Sequence, residues 1–326
     1  MSTRLRVVFL GSPPFGTPVL AALLESAHDI VGVVTRPDRP RGRGRSVERG
    51  EVAALADERG LLVLQAESTR DSEFAASLRE LSPDVLVVAS YGEILNEEVL
   101  AVPRVAPLNV HASLLPRHRG SSPLQAAILA GDETTGVSVQ RMVLALDAGD
   151  VLLEREISIG EEETAGELHD RLSMLAGEAA VAALDMLAGG DPLFTPQDEG
   201  SVTMTRRLRK EDGRPDFDAL DAAGFVRHVR AMTPWPGARA ELFREGEASL
   251  ALALRAARVD EGCGWEGARP GDLRVEGGRL FLALAQGFVE LLRVQPAGKR
   301  PMEVSDFLRG ARIEGAARLG SESCPD

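Results

Sequence analysis

The sequence predicts an α/β protein in two parts: a doubly wound, mostly parallel sheet of Rossmann-like type, followed by a smaller open β-barrel of the oligonucleotide-binding (OB-like) kind. Three observations predict it. Runs apolar on both faces, Val85–Ala89 (VLVVA) the strongest, alternate with Ala/Leu-rich helical stretches over the first two thirds of the chain; such runs mark strands of a parallel sheet covered on both sides. Residues 189–216 then carry Pro, Gly and mixed charge with no sustained period. Beyond them, short strand-like runs recur at Gly-rich spacing, the pattern of a small barrel. The expected organisation is a first domain over 1–188, a linker over 189–216 and a β-barrel domain over 217–326.

The elements follow in order. Arg6–Leu10 is β-rich and meets a Gly/Pro turn, after which an Ala/Leu helix runs to about Ser26. Ile30–Val34, Leu61–Leu64 and Val85–Ala89 are the next strands, separated by helices at Glu51–Arg59 and Asp71–Leu81. Leu108–His111 is a short strand and Pro123–Ala130 a helix. Val137–Val143 and Val151–Ile157 read as further strands, and Thr164–Leu187 as a long closing helix. After the linker come a helix near Ala219–Ala231 and strands at Ala238–Phe243, Ser249–Ala257, Asp272–Val275, Leu280–Ala283 and Phe288–Val294.

Composition narrows the function classes. At 326 residues with 44% hydrophobic and only 4% aromatic, the cores are built mainly from Ala, Val and Leu. Two cysteines, Cys263 and Cys324, exclude a disulfide framework and a Cys-rich zinc site, as expected of a reduced, cytoplasmic protein. The five histidines show no ligand spacing, so no metal is expected. The apolar run Val7–Leu10 is too short for a signal peptide, and no stretch approaches the roughly 20 apolar residues of a membrane span. Nothing demands more than a monomer. The net charge of −13 opposes wholesale nucleic-acid binding, so the placement of charge matters more than its sum.

The segment richest in chemistry is Pro107–Gly120. Asn109 and His111 stand two apart on a strand end, so their side chains share a face. That face lies where open α/β sheets bind ligands, beyond the strand carboxyl ends. A neutral His can accept a proton and an Asn amide can donate to a developing oxyanion; the competing reading is a turn-forming Asn beside a backbone-bonded His. Asp147, in Leu-Ala-Leu-Asp-Ala-Gly-Asp, could stabilise an imidazolium on His111, with a plain Asx turn and Asp150 as the alternatives. Gly11-Ser-Pro-Pro-Phe-Gly16 occupies the place of a dinucleotide fingerprint without its glycine pattern, and Thr35-Arg36 replaces the expected acid, which argues against a nicotinamide enzyme. Residues 36–49 hold six arginines against two acids, a local charge of +4 on an irregular, exposed loop. Such a loop can track phosphates or simply be solvated. Arg206–Lys210 is a second basic cluster, open to the same two readings.

These motifs, with Ser90-Tyr-Gly92, Ser113-Leu-Leu-Pro-Arg-His-Arg-Gly120, Thr233-Pro-Trp-Pro236 and Val294-Gln-Pro-Ala-Gly-Lys-Arg300, resemble the formyltetrahydrofolate-dependent formyltransferase superfamily, and within it the tRNA-specific branch. The likeness runs from about Arg4 to Arg309 and is denser before the linker; the tail beyond Gly310 has no counterpart. The resemblance implies transfer of a formyl group from 10-formyltetrahydrofolate to the α-amino group of methionine on initiator methionyl-tRNA, for bacterial-type translation initiation. It implies that Asn109, His111 and Asp147 serve a direct amine attack, that Ser113, Leu114, Leu115 and Pro116 bind folate, and that Phe15 lines the acceptor pocket rather than the core. It further implies tRNA contact by Arg36, Arg39, Arg41, Arg43 and Arg45, with Arg207 and Lys210 beside them, and a C-terminal domain that binds tRNA. The alternatives within the superfamily are a sugar-nucleotide or purine-precursor formyltransferase and a hydrolase that uses water as acceptor. A non-catalytic tRNA-binding protein is the third.

Overall fold

A computed structural model describes residues 4–38, 40–41, 46–69, 71–190, 192–245, 248–262, 264–311, 313 and 317–320. Arg39, Arg43, Arg45, Cys263 and Cys324 lie outside the described residues. The chain forms two compact units: Met1–Pro123, Thr134–Ser158 and His169–Arg206 in the first; Leu124–Glu133, Ile159–Leu168 and Arg207–Asp326 in the second.

In chain order the elements are β1 (Arg6–Gly11), α1 (Gly16–Leu24), β2 (Asp29–Val34), β3 (Pro40–Arg41), β4 (Ser46–Val47), α2 (Glu51–Glu58), β5 (Val63–Leu64), α3 (Ser72–Glu80), β6 (Val85–Ala89), α4 (Glu97–Leu100), β7 (Ala106–His111), β8 (Arg119–Gly120), α5 (Pro123–Ala130), β9 (Thr134–Arg141), β10 (Val151–Ser158) and α6 (Ala165–Gly189). The main sheet has the order β10-β9-β7-β6-β1-β2-β5. Strands β5, β2, β1, β6 and β7 are parallel, and β9 runs antiparallel to both β7 and β10. Every residue of β6 is buried, as its unbroken apolar run requires. Val8, Leu10, Leu86 and Val88 form one core with Phe74 and Leu78 of α3 and Val99 of α4. The strand order reverses between β1 and β6, so right-handed crossovers place helices on both faces and leave the loops after β1, β6 and β7 at one rim.

Helix α6 corrects one expectation: by length and composition it is apolar enough to cross a membrane, with half of its most apolar window buried. Leu172, Ala176, Ala179 and Ala183 are fully buried at helical spacing, so the apolar content of this helix includes a core stripe. The expected irregular basic loop after β2 differs as well. Pro40 pairs with Val47 and Arg41 with Ser46, which gives the loop a two-residue antiparallel stem.

The second unit follows β11 (Met204–Thr205) with α7 (Ala222–Ala231), β12 (Ala238–Arg244), β13 (Leu250–Asp260), β14 (Asp272–Glu276), β15 (Arg279–Ala283), β16 (Phe288–Pro296), β17 (Met302–Glu303), α8 (Val304–Gly310) and β18 (Ala317–Gly320). A barrel forms as expected, but it is closed rather than open. β13 pairs with β12 through Leu250–Leu254 and with β16 through Leu252–Asp260, with register shifts around Ala256 that bend it between its two partners. The remaining gap is filled from the tail: β18 lies between β12 and β14, with Leu319 fully buried.

Helix α7 buries His228, and burial pushes its imidazole below the ordinary range although its hydrogen bond with the Gly213 backbone acts the other way. The folded chain therefore resists the proton that the unfolded chain accepts. Stability is expected to fall as pH drops below about 6.5. Thermal unfolding at about pH 7.5 and about pH 5.5 checks this, with a smaller acid shift expected in His228→Gln; equal shifts in both proteins would contradict it.

Candidate active site

Strand β7 delivers Asn109 and His111 to the rim, and its pairing with β9 sets Gln140 opposite Asn109 and Ser138 opposite His111. His111 is 6% exposed. Its Nε2 donates to the His118 carbonyl at 3.1 Å, which makes Nε2–H the protonated position of the neutral ring. Nδ1 faces Asp147, 3.6 Å from Oδ2. A proton taken up on Nδ1 is thus paired at once with a carboxylate.

Asp147 reaches the site from the turn between β9 and β10, in a left-handed conformation with φ +49°. Its Oδ1 accepts from Asn109 Nδ2 at 3.2 Å and from Gln140 Nε2 at 3.1 Å. Its Oδ2 accepts from the Gly120 backbone N–H at 2.9 Å. Three donors and an imidazole surround this carboxylate and fix its direction. The Asp150 carbonyl accepts from Arg141 N at 2.9 Å and closes the hairpin.

Two glycines are required. A Cβ on Gly149 would stand 1.7 Å from the Arg141 carbonyl oxygen, and one on Gly120, at φ +116°, would stand 2.2 Å from the Thr205 carbonyl oxygen. Thr205 belongs to a stretch read from composition as linker, and several of its described residues are bonded to strands of the first unit. β11 pairs with β8, Thr203 Oγ1 accepts from His118 N at 2.8 Å, and Thr195 exchanges both backbone bonds with Val151.

Ser113 is fully buried and its hydroxyl donates to the Arg117 carbonyl at 2.6 Å. Ser138 Oγ stands 2.8 Å from the Ser113 carbonyl and accepts from Leu115 N at 3.0 Å. The backbone of Ser113–Pro116 is thereby held by a side chain from β9, and Leu115 and Pro116 line a cavity of about 250 Å³ with Leu152, Glu154, Thr195 and Gln197. Phe15 is 5% exposed and packs edge-to-face with His169, the ring centroids 5.6 Å apart.

The basic loop is partly neutralised. Arg49 binds Asp57 through Nε and Nη2 and reaches Asp38 at 3.1 Å. Arg36 donates to the Gly92 carbonyl and stands 3.5 Å from Glu93. It thus braces the loop after β6, where burial pushes the Tyr91 hydroxyl up to about 12. For Arg41 the described feature is its backbone pairing with Ser46. Arg207 and Lys210 are exposed. Lys210 lines a groove of about 610 Å³ in the second unit with Arg214, Arg239 and Arg255.

The structure therefore brings Asn109, His111 and Asp147 together. Sequence reasoning missed Gln140, Gln197, Gly120 and the His118 carbonyl. Of these only Gln140 carries a signal, since it lies on the expected strand Val137–Val143, which the structure pairs with the Asn–His strand.

Comparison with known proteins agrees over the whole chain. The family model described as formyl transferase matches residues 5–184, and its C-terminal domain model matches residues 207–312. A methionyl-tRNA formyltransferase of Chromohalobacter salexigens is 44% identical over 329 residues, covering 99% of each chain. One of Geobacter metallireducens is 38% identical over 317 residues, covering 97% of this chain and 99% of its own. Among solved structures, an N-formyltransferase from Helicobacter canadensis in complex with folinic acid and dTDP-3-aminofucose superposes with a TM-score of 0.64. It is 13% identical and covers 90% of this chain and 100% of its own, a likeness of fold. HypX of Aquifex aeolicus in complex with tetrahydrofolic acid gives a TM-score of 0.60 at 19% identity, covering 94% of this chain and 47% of its own. Both domain matches and the full-length identities lead to one conclusion: the chain is a formyl-transferring enzyme that belongs to the formyl transferase family, among its methionyl-tRNA formyltransferases.

Proposed function

We propose that this enzyme transfers the formyl group of 10-formyltetrahydrofolate to the α-amino group of methionine on initiator methionyl-tRNA. The observation that carries the reading is the similarity to methionyl-tRNA formyltransferases along the entire chain, second unit included. The site chemistry supports it. The acceptor amine is itself a nucleophile, so the protein needs no Ser or Cys to form an acyl intermediate. Attack on the formyl carbon creates an oxyanion and an ammonium. The Asn109 amide has two hydrogens, one committed to Asp147, and the other serves the oxyanion. His111 takes the ammonium proton on Nδ1, where Asp147 stabilises the imidazolium, and returns it to the folate nitrogen as the intermediate collapses and the bond from that nitrogen to the formyl carbon breaks. Ser113–Pro116 contributes to the folate site, with its backbone set by Ser138, and Phe15 flanks the acceptor site. Arg36, Arg39, Arg41, Arg43 and Arg45, with Arg207 and Lys210, contact the tRNA backbone.

The test is formyl transfer from labelled donor to charged initiator tRNA, with a sugar-amine nucleotide, an amino-ribonucleotide and water as parallel acceptors. Label on the charged tRNA alone is the expected result. Label on another acceptor, or formate released without one, would overturn the proposed partner.

A further inference from the structure

The turn that presents Asp147 is held from outside the catalytic strands. Gln197, eight residues beyond the end of α6, stretches its side-chain amide beneath this turn. Its Nε2 donates to the Asp147 carbonyl at 2.9 Å and to the Gly149 carbonyl at 2.7 Å, and stands 3.2 Å from Gln140 Oε1. Gln140 in turn accepts from Gly149 N at 3.1 Å while donating to the Asp147 carboxylate. On its other side, Gln197 Oε1 accepts from both Nε and Nη2 of Arg119, at 3.0 and 2.8 Å. The Arg119 side chain is 6% exposed, and its guanidinium is anchored on Glu199 at 2.7 Å.

Each amide in this chain has one workable orientation. Arg119 offers only donors, so Gln197 must turn its oxygen there, which aims its two hydrogens at the two carbonyls. Gly149 offers an N–H and Asp147 a carboxylate, which fixes Gln140 the opposite way. The turn needs such support. Asp147 is an L-residue in the left-handed region, a conformation that persists only where its surroundings over-determine it. Bonds to the carbonyls on both sides of Ala148 supply that determination. The same turn sets the 3.6 Å separation between Asp147 and His111.

We propose that Gln197, braced by Arg119, is a positioning residue that locks the Asp147 turn, so that the segment after α6 is part of the reaction machinery. This rests on the reading of Asn109, His111 and Asp147 as the reacting site.

Gln197→Glu keeps the side-chain length and the bond to Arg119 but removes the N–H donors. It is expected to lower kcat by about ten- to a hundredfold through misplacement of Asp147, with KM for both substrates within about twofold. The decisive readout is a double-mutant cycle with Asp147→Ala. If Gln197 acts through Asp147, the second substitution costs less than about twofold once Asp147 is gone. Gln197→Met, uncharged and of similar length, gives the same readout where the added carboxylate prevents folding, and thermal unfolding verifies each variant. Wild-type kcat in the single variants, or the same fold loss in both backgrounds, overturns the proposal. A wild-type rate in Asp147→Ala overturns the site reading together with it, whereas a slow Asp147→Ala beside a normal Gln197→Glu overturns only this inference.

Discussion

His111→Ala is expected to lower kcat for formyl transfer by about 10²–10⁴-fold, with affinity for charged tRNA unchanged. The ring is 6% exposed, so it is a fixed part of the site and not a surface contact. Its Nε2 is committed to the His118 carbonyl, which leaves Nδ1 for the proton of the tetrahedral intermediate. Alanine removes that acceptor and leaves the Asp147 carboxylate with no imidazole to orient. Single-turnover transfer and filter binding separate the two effects. Turnover at the wild-type rate would remove His111 from the mechanism, and lost tRNA affinity would assign it to binding.

Gly149→Ala is expected to cost about 10²-fold in kcat by displacing the Asp147 turn. It is also expected to lower stability by about 1–3 kcal/mol through steric strain. The added Cβ would meet a backbone oxygen at 1.7 Å, which cannot rotate away as a side chain would. The β9–β10 hairpin must open, and the bonds from Gly149 to Gln140 and Gln197 go with it. Kinetics with thermal unfolding checks both figures. Unchanged kcat beside a lowered melting temperature would show that Asp147 holds its place without the turn.

How much of this was legible depends on the range of the interaction. The apolar run Val85–Ala89 announces its strand, because both faces of β6 are buried. Asn109 and His111 were legible as a pair because strand geometry alone puts alternate residues on one face. Asp147 was legible from its own residues only as a candidate beside Asp150, and the resemblance chose between them; its bonds to Asn109 and Gln140 cross from one strand to another and leave no mark in the sequence. Gln197 was not legible. It sits 50 residues from Asp147 in an aperiodic segment, and its role exists only once Arg119 fixes its amide. The closed barrel was hidden for a similar reason: closure depends on a bend in β13 and on β18, a four-residue strand that follows a helix stop and carries no turn signal. The basic loop illustrates the opposite error. Charge counted along the sequence overstates what is available, since Arg49 is neutralised by Asp57 and Asp38.

The central claim is direct transfer: the amine attacks the formyl carbon while both substrates occupy the site, and the protein stabilises the intermediate without forming one of its own. Initial rates over a matrix of formyl-donor and charged-tRNA concentrations test it most directly. Double-reciprocal lines that intersect are predicted, because both substrates must be bound together before any product leaves. Parallel lines, the mark of a ping-pong reaction through a formylated protein, would contradict it.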